Sequence, residues 1–141
     1  RILDWYIRNR DLKVETPDDD PGVASVRAIH RDLRSRGFDT VIMGASFRNI
    51  GQIEALAGCD RLTISPKLLD ELAADEGPVH SRLENVQPAT EAADQPLSEA
   101  TFRWCLNDDP MASDLLADGI RRFARDQEAL EALMTGAETD A

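Results

Sequence analysis

The 141-residue chain is poor in the residues on which many catalytic and metal sites depend. It contains two cysteines, two histidines and two lysines. Cys59 and Cys105 lie far apart and form neither a CxxC motif nor a set with metal-ligand spacing, which is typical of reduced thiols in a cytosolic protein. We therefore expect no metal site and a cytoplasmic location.

Positive charge and long apolar runs are also scarce. The formal net charge is -11, whereas a nucleic-acid backbone or an anionic membrane needs a cationic surface to bind to. No apolar run reaches the length of a membrane span. Neither nucleic acid nor a membrane is therefore expected as a partner, and a phosphate-binding site would have to be local.

Two short units predict alternating strands and helices in the first half of the chain. Residues 40–43 (TVIM) are apolar or β-branched without polar alternation, which is typical of a strand buried on both faces. Residues 61–64 repeat the pattern. Ser46 or Asn49 can cap a helix after the first run, and Ser65 can cap one after the second. Two such units predict parallel strands and an α/β fold.

Further helix signals flank these units. Asp20 is suited to the N-cap of a helix that ends near Gly37, and Ser98 and Asp109 are suited to begin two more helices. Residues 1–9 lack a clean period and fit either the end of a strand or a short helix.

The loop after the first strand holds the most suggestive pair of side chains. Ser46 and Arg48 lie at the carboxyl end of a predicted parallel strand, where ligands gather. A hydroxyl, backbone N–H groups and a guanidinium can converge there on a phosphate. A helix cap at Ser46 beside a surface arginine explains the same residues without a ligand. Spacing alone leaves both interpretations open.

The first six residues are equally ambiguous. Arg1 and Asp4 with Trp5 and Tyr6 fit a polar cluster at another strand end, with the aromatic rings as walls. Buried aromatic rings beside a solvated aspartate are the more common arrangement.

The remaining charged groups have structural explanations. The acidic run 18–20 before Pro21 is typical of a helix start rather than a metal site. His30 and His80 are expected to be structural or exposed, and Lys67 to be exposed in a first helical turn. Four arginines are expected to form a solvated helix face: Arg27, Arg31, Arg34 and Arg36.

Four blocks of the sequence together resemble one known family. They are RILDWY, DPGVASV, TVIMGASFRNIGQIEALAGCDRLTISPKLLDELA and NDDPMASDLLADGIRRFARDQEALE. The blocks are similar to the carboxyl-terminal part of transaldolases, and MGASFRN with AGCDRLTI is the most specific stretch. The resemblance spans nearly the whole chain and is weakest over residues 78–97.

The resemblance implies the carboxyl-terminal part of a (β/α)8 TIM barrel, mostly helical as an isolated chain. The family moves a dihydroxyacetone unit between sugar phosphates through a lysine Schiff base, in the pentose phosphate pathway and without a cofactor. In the family, an arginine after the sixth strand and a serine and an arginine after the seventh bind the sugar phosphate. These positions match Arg1, Ser46 and Arg48.

This sequence differs from the family in its length, because a complete barrel needs about 200 residues or more. The family's Schiff-base lysine and acid/base carboxylates have no counterpart here, and neither Lys13 nor Lys67 matches the lysine position. We therefore expect a fragment that is inactive alone and needs the missing amino-terminal part of the barrel. The expected organisation is barrel units over residues 1–77, an extended connection over 78–97 and a helical tail over 98–141.

The helical tail supports a second hypothesis of a different class. Phe102 and Trp104 are expected to return to a core, and an apolar stripe runs from Leu116 to Met134. The stripe can cover the barrel, and the resemblance suggests a homodimer through these helices. The alternative is a catalytically inert helical fragment that acts as a binding or assembly module.

Overall fold

The computed structural model describes residues 1–83 and 96–136. The chain divides into two units, Arg1–Asp94 and Gln95–Ala141. Most of the expected extended connection, residues 84–95, lies outside the described residues, so this expectation stays a prediction.

The first unit alternates helices with two short strands. Its elements in chain order are α1 (Ile2–Arg10), a 3-10 turn (Pro17–Asp19), α2 (Pro21–Ser35), β1 (Met43–Ala45), α3 (Ile50–Glu54), β2 (Arg61–Thr63) and α4 (Pro66–Ala74). The ambiguous first residues thus form a helix. The strands pair in parallel, with Met43 opposite Arg61 and Ala45 opposite Thr63. The mostly helical chain with a parallel sheet confirms the expected fold class, part of an α/β barrel.

The expectation that residues 40–43 form a strand buried on both faces is wrong. The strand begins only at Met43, and burial alternates, because Ile42 is 8% exposed while Val41 and Met43 are 62% and 59% exposed. The sheet has two strands in the described part of the chain. Ile42 therefore lies on the covered side of this segment, whereas Val41 and Met43 lie on its accessible side.

The core of this unit lies between α2, α3 and the sheet. Val23, Ala55 and Leu56 are buried together, and Leu62 and Phe47 pack against them. Gly44 of β1 is part of this packing, because a Cβ atom there would lie 2.9 Å from Leu62 Cδ2.

Two of the arginines expected on a solvated helix face are structural instead. Arg27 donates to the Ala55 carbonyl at 2.8 Å, and Arg34 donates to the Asp60 carboxylate at 2.6 Å. Asp60 also accepts the Ile42 N–H at 2.8 Å. The Ile42 N–H and then the Arg34 guanidinium lower the pKa of Asp60. The expectation is wrong for both arginines because α2 packs over carbonyls and a carboxylate that need donors.

The turn between α3 and β2 contacts a later segment of the chain. Gly58 has a φ of +103°, a backbone conformation that favours glycine, and it lets the chain reverse after Leu56. The carbonyl of Ala57 accepts the N–H groups of Arg82 and Leu83 at 2.8 and 3.2 Å. The segment after α4 is therefore held to this turn by two backbone hydrogen bonds.

The second unit is a pair of helices, α5 (Glu99–Asp108) and α6 (Pro110–Thr135). Ser98 and Asp109 cap them as predicted, accepting the N–H groups of Thr101 and Ala112 at 3.1 and 3.0 Å. The expectation that Phe102 and Trp104 return to a core is wrong, since these residues are 56% and 65% exposed. Across the described residues, no helix is both long and apolar enough to cross a membrane.

Candidate functional site

The loop after β1 is shaped by a left-handed residue and a helix cap. Ser46 has a φ of 65°, which is uncommon for a residue with a side chain. Asn49 caps α3, since its side chain accepts the Gln52 N–H at 3.0 Å. The alternative that Ser46 is the N-cap is therefore wrong.

The guanidinium of Arg48 is held by the first helix. Its Nε and Nη2 donate to the two carboxylate oxygens of Asp4, at 3.2 and 2.5 Å, and its Nη1 donates to the Ser46 carbonyl at 3.2 Å. The expectation that Asp4 is simply solvated is thus wrong, because its carboxylate is paired with Arg48. The expected burial of the aromatic rings is confirmed for Trp5, which is 5% exposed, whereas Tyr6, which packs edge to face with it, is half-buried.

The two charges keep each other ionised. The hydrogen bond from Arg48 is the main reason that the pKa of Asp4 lies below its ordinary value, and Asp4 raises the pKa of Arg48 in turn. A guanidinium is cationic at neutral pH, as an anion-binding group must be, and Asp4 reinforces this state in Arg48.

The three residues predicted to bind phosphate line the same cavity. Its volume is about 210 Å³, and its lining includes Arg1, Ser46 and Arg48 together with apolar Val23 and Leu56. Arg1 and Arg48 have side-chain exposures of 60% and 47%, so both cations are accessible to a ligand. The cavity is thus lined by residues that carry two guanidinium groups and one hydroxyl, together with apolar residues.

A buried chain of hydrogen bonds lies behind the loop, and sequence reasoning missed it. The Arg48 backbone N–H donates to Gln52 Oε1 at 2.6 Å, and Gln52 Nε2 donates to Asp20 Oδ2. Asp20 Oδ1 caps α2 by accepting the Gly22 N–H at 2.7 Å. Asp20 and Gln52 are 1% and 7% exposed. The signal in the sequence was a glutamine at the edge of the apolar stripe that begins in α3, four residues before Leu56.

The other candidate residues lie away from the cavity or have separate partners. The Lys67 side chain is 87% exposed and pairs with Glu71 at 3.5 Å, and Lys13 is exposed. His30 is buried, while His80 is exposed, as expected.

The acidic run before α2 does not form one cluster. Asp18 pairs with Arg27, Asp19 accepts from Thr16, and Asp20 caps α2. Within residues 1–83 and 96–136, no group of His, Cys, Asp and Glu side chains could hold a metal ion.

Comparison with known proteins gives a consistent result. The family described as transaldolase/fructose-6-phosphate aldolase matches residues 1–134. The chain is 55% identical over 135 residues to a transaldolase of Yersinia pseudotuberculosis. It is 52% identical over 134 residues to a transaldolase of Alteromonas mediterranea and to transaldolase A of Pasteurella multocida.

These similarities cover the chain and the relatives unequally. The alignments include 95% or 96% of the chain but 42% of each relative. The chain thus spans about two fifths of the length of these curated relatives.

Proposed function

The chain belongs to the transaldolase/fructose-6-phosphate aldolase family, and we propose from this that it supplies the phosphate-binding part of a transaldolase. The complete enzyme would transfer a dihydroxyacetone unit from sedoheptulose 7-phosphate to glyceraldehyde 3-phosphate. The products would be erythrose 4-phosphate and fructose 6-phosphate, in the non-oxidative pentose phosphate pathway. One observation carries the proposal: Arg1, Ser46 and Arg48 line one cavity.

The donors available at Arg48 suit a phosphate. A guanidinium has five N–H donors, of which three are taken by Asp4 and the Ser46 carbonyl within the described residues. The others can bind phosphate oxygens, to which the fork of arginine is matched. Ser46 and Arg1, whose side chains carry further donors, line the same cavity.

Phosphate binding would orient the sugar rather than perform its chemistry. The carbonyl of the donor sugar would react with a lysine amine to form the Schiff base, releasing water. Such a lysine must be desolvated or placed next to another cation in order to be deprotonated near neutral pH. Lys13 and Lys67 are exposed, so we assign the reacting lysine and the acid/base carboxylates to the amino-terminal part of the enzyme. The chain alone would be inactive.

The setting proposed for the enzyme follows from the same features. It would act in the cytoplasm, where free thiols such as those of Cys59 and Cys105 persist, and would use no cofactor. Its partners would be sugar phosphates and the amino-terminal part of the barrel, with a homodimer formed through the carboxyl-terminal helices.

The second candidate function is a helical binding or assembly module, and α6 is the observation in its favour. Several of its large apolar residues are at least half exposed, including Leu116, Ile120, Phe123 and Leu130. A module of this kind would not distinguish fructose 6-phosphate from fructose, whereas a phosphate site would.

Calorimetric titration of the chain with these two sugars tests the proposal. The unchanged chain should bind fructose 6-phosphate more tightly than fructose, and Arg48→Ala should remove about 1.5–3 kcal/mol of that difference, the value of a charged hydrogen bond. Arg122→Ala is the matched control, because Arg122 is 49% exposed and also pairs with a carboxylate, that of Asp118. Equal affinities for the two sugars would contradict the phosphate site.

A further inference from the structure

The buried chain of hydrogen bonds from Asp20 to Arg48 can form with only one arrangement of donors and acceptors. At one end the carboxylate oxygens of Asp20 act as acceptors, and at the other end a backbone N–H can only donate. Gln52 lies between them and meets both, because its amide accepts from the Arg48 N–H and donates to Asp20. An apolar side chain could serve neither end, and a carboxylate could serve only one of them.

Burial makes this chain of bonds hard to replace with water. Asp20 and Gln52 are 1% and 7% exposed, and a buried polar group without a partner is costly. The far end is fixed as well, since Asp20 Oδ1 accepts the Gly22 and Val23 N–H groups at the start of α2. The start of α2 is thus connected through Gln52 to the backbone of Arg48.

The loop that Gln52 holds needs such support. Ser46 adopts a left-handed backbone conformation, and such conformations persist where surrounding contacts enforce them. Gln52 makes two contacts to this loop, since its N–H donates to the Asn49 side chain and its Oε1 accepts from Arg48.

We infer that Gln52 is a positioning residue for anion binding, which fixes the Arg48 backbone and with it the approach of the guanidinium and the Ser46 hydroxyl to a phosphate. This inference rests on the proposed function. Gln52 would act through Arg48, and its side-chain amide has both of its functional atoms engaged by Arg48 and Asp20.

The first test replaces the amide with an apolar group of similar size. Gln52→Leu should weaken the binding of fructose 6-phosphate about tenfold, the factor that corresponds to one lost hydrogen bond. The affinity for fructose should stay the same. Gln127→Leu makes the same chemical change at an exposed site on α6, where Gln127 donates to Glu131, and should leave both affinities unchanged.

The second test inverts the polarity of the chain of bonds without changing its shape. Asp20→Asn alone places an amide opposite the Gln52 amide, so one of the two bonds of Gln52 must break whichever way its amide turns. In the double variant Asp20→Asn with Gln52→Glu, the introduced asparagine donates to the introduced glutamate, and the glutamate accepts the Arg48 N–H. The cap of α2 would be kept in both variants, because asparagine is a good N-cap residue.

The double variant separates positioning from a general loss of stability. Asp20→Asn should bind fructose 6-phosphate about tenfold more weakly, and the double variant should return to within about threefold of the unchanged chain. Urea unfolding of each variant reports whether the fold is kept.

Each outcome bears on a different claim. If the unchanged chain shows no preference for the phosphorylated sugar, both the proposed function and this inference are overturned. If it shows the preference and Arg48→Ala removes it, then equal binding by Gln52→Leu and Gln127→Leu overturns the inference alone. A double variant that binds no better than Asp20→Asn also overturns the inference alone.

Discussion

Asp4 and Arg48, which are 44 residues apart in the sequence, form a two-point ion pair in which both carboxylate oxygens accept from one guanidinium. The pair connects α1 to the loop after β1. It brings together the first block of the sequence and the most specific family motif, MGASFRN, which no local pattern relates to each other.

The energy of this pair should depend on pH. Because the pKa of Asp4 is lowered in the folded state, its contribution to stability is present above the ordinary value of about 3.9 and is lost as pH falls through the folded value. A double-mutant cycle of Asp4→Asn and Arg48→Ala should give a coupling of about 0.5–1 kcal/mol at pH 7, since both side chains are partly exposed. Urea unfolding at pH 7 and pH 3 measures it, and an undiminished coupling at the lower pH would contradict the ion pair.

Arginine at position 48 should be only partly replaceable by lysine. Arg48→Lys keeps the charge but loses the fork that binds Asp4 and a second acceptor together. We expect an affinity for fructose 6-phosphate between those of the unchanged chain and Arg48→Ala. Calorimetry measures it, and full recovery by lysine would show that charge alone is required.

A side chain at position 44 should require its neighbours to shift. A Cβ atom there would lie 2.9 Å from Leu62 Cδ2 and 3.2 Å from Phe47 Cζ; both atoms are ends of side chains that can move, so Gly44→Ala should destabilise the fold by no more than about 1 kcal/mol through overpacking. Gly119→Ala is a control of opposite sign, because no atom lies within 4 Å of a Cβ atom at Gly119 in α6. It should stabilise that helix by about 0.5–1 kcal/mol. Chemical denaturation of both variants measures the difference.

The carboxylate of Asp60 should account for part of the acid sensitivity of the chain. Its pKa is lowered by the Ile42 N–H and by Arg34, so Asp60→Asn should cost about 1–2 kcal/mol above pH 5. The cost should shrink as pH falls through the folded pKa. Asp118→Asn, at an exposed pair with Arg122 on α6, should cost less than about 0.5 kcal/mol over the same range. Equal effects of the two substitutions on urea unfolding would contradict the structural role of Asp60.

Schiff-base trapping should fail on the chain alone. Lys67 is 87% exposed and beside Glu71, so it lacks the desolvated or cation-flanked setting that a reactive amine needs. Treatment with fructose 6-phosphate and borohydride should leave the intact mass unchanged. Mixing with the amino-terminal part of a transaldolase should give an adduct on that part, and a stoichiometric adduct on Lys67 would contradict the division of roles.

Local signals in the sequence locate most helix starts, because capping depends on neighbouring residues alone. Asp20, Ser98 and Asp109 accept N–H groups in the first turns that they are predicted to cap. The choice between Ser46 and Asn49 is harder, since both are good caps. The backbone conformation of Ser46 decides it, and no pattern in the sequence specifies that conformation.

Contacts between distant residues cannot be predicted in the same way. Arg27 and Arg34 look like solvated charges until α2 is packed over Ala55 and Asp60. The role of Gln52 likewise depends on an aspartate 32 residues earlier in the chain. The apolar residues around Val41 predict a buried segment. Val41 is instead 62% exposed, because the described sheet has two strands and leaves this side chain uncovered.

The attachment of Arg82 and Leu83 to the carbonyl of Ala57 has a consequence for how the first unit comes apart. It closes a loop of chain that contains both β2 and α4, so unfolding that enters this loop from its carboxyl-terminal side must first release Arg82 and Leu83 from Ala57. Local opening follows cooperative units of this kind rather than single helices. The loss of these two hydrogen bonds should therefore come before the opening of α4 from that side, and the closure should slow the fraying of the helix.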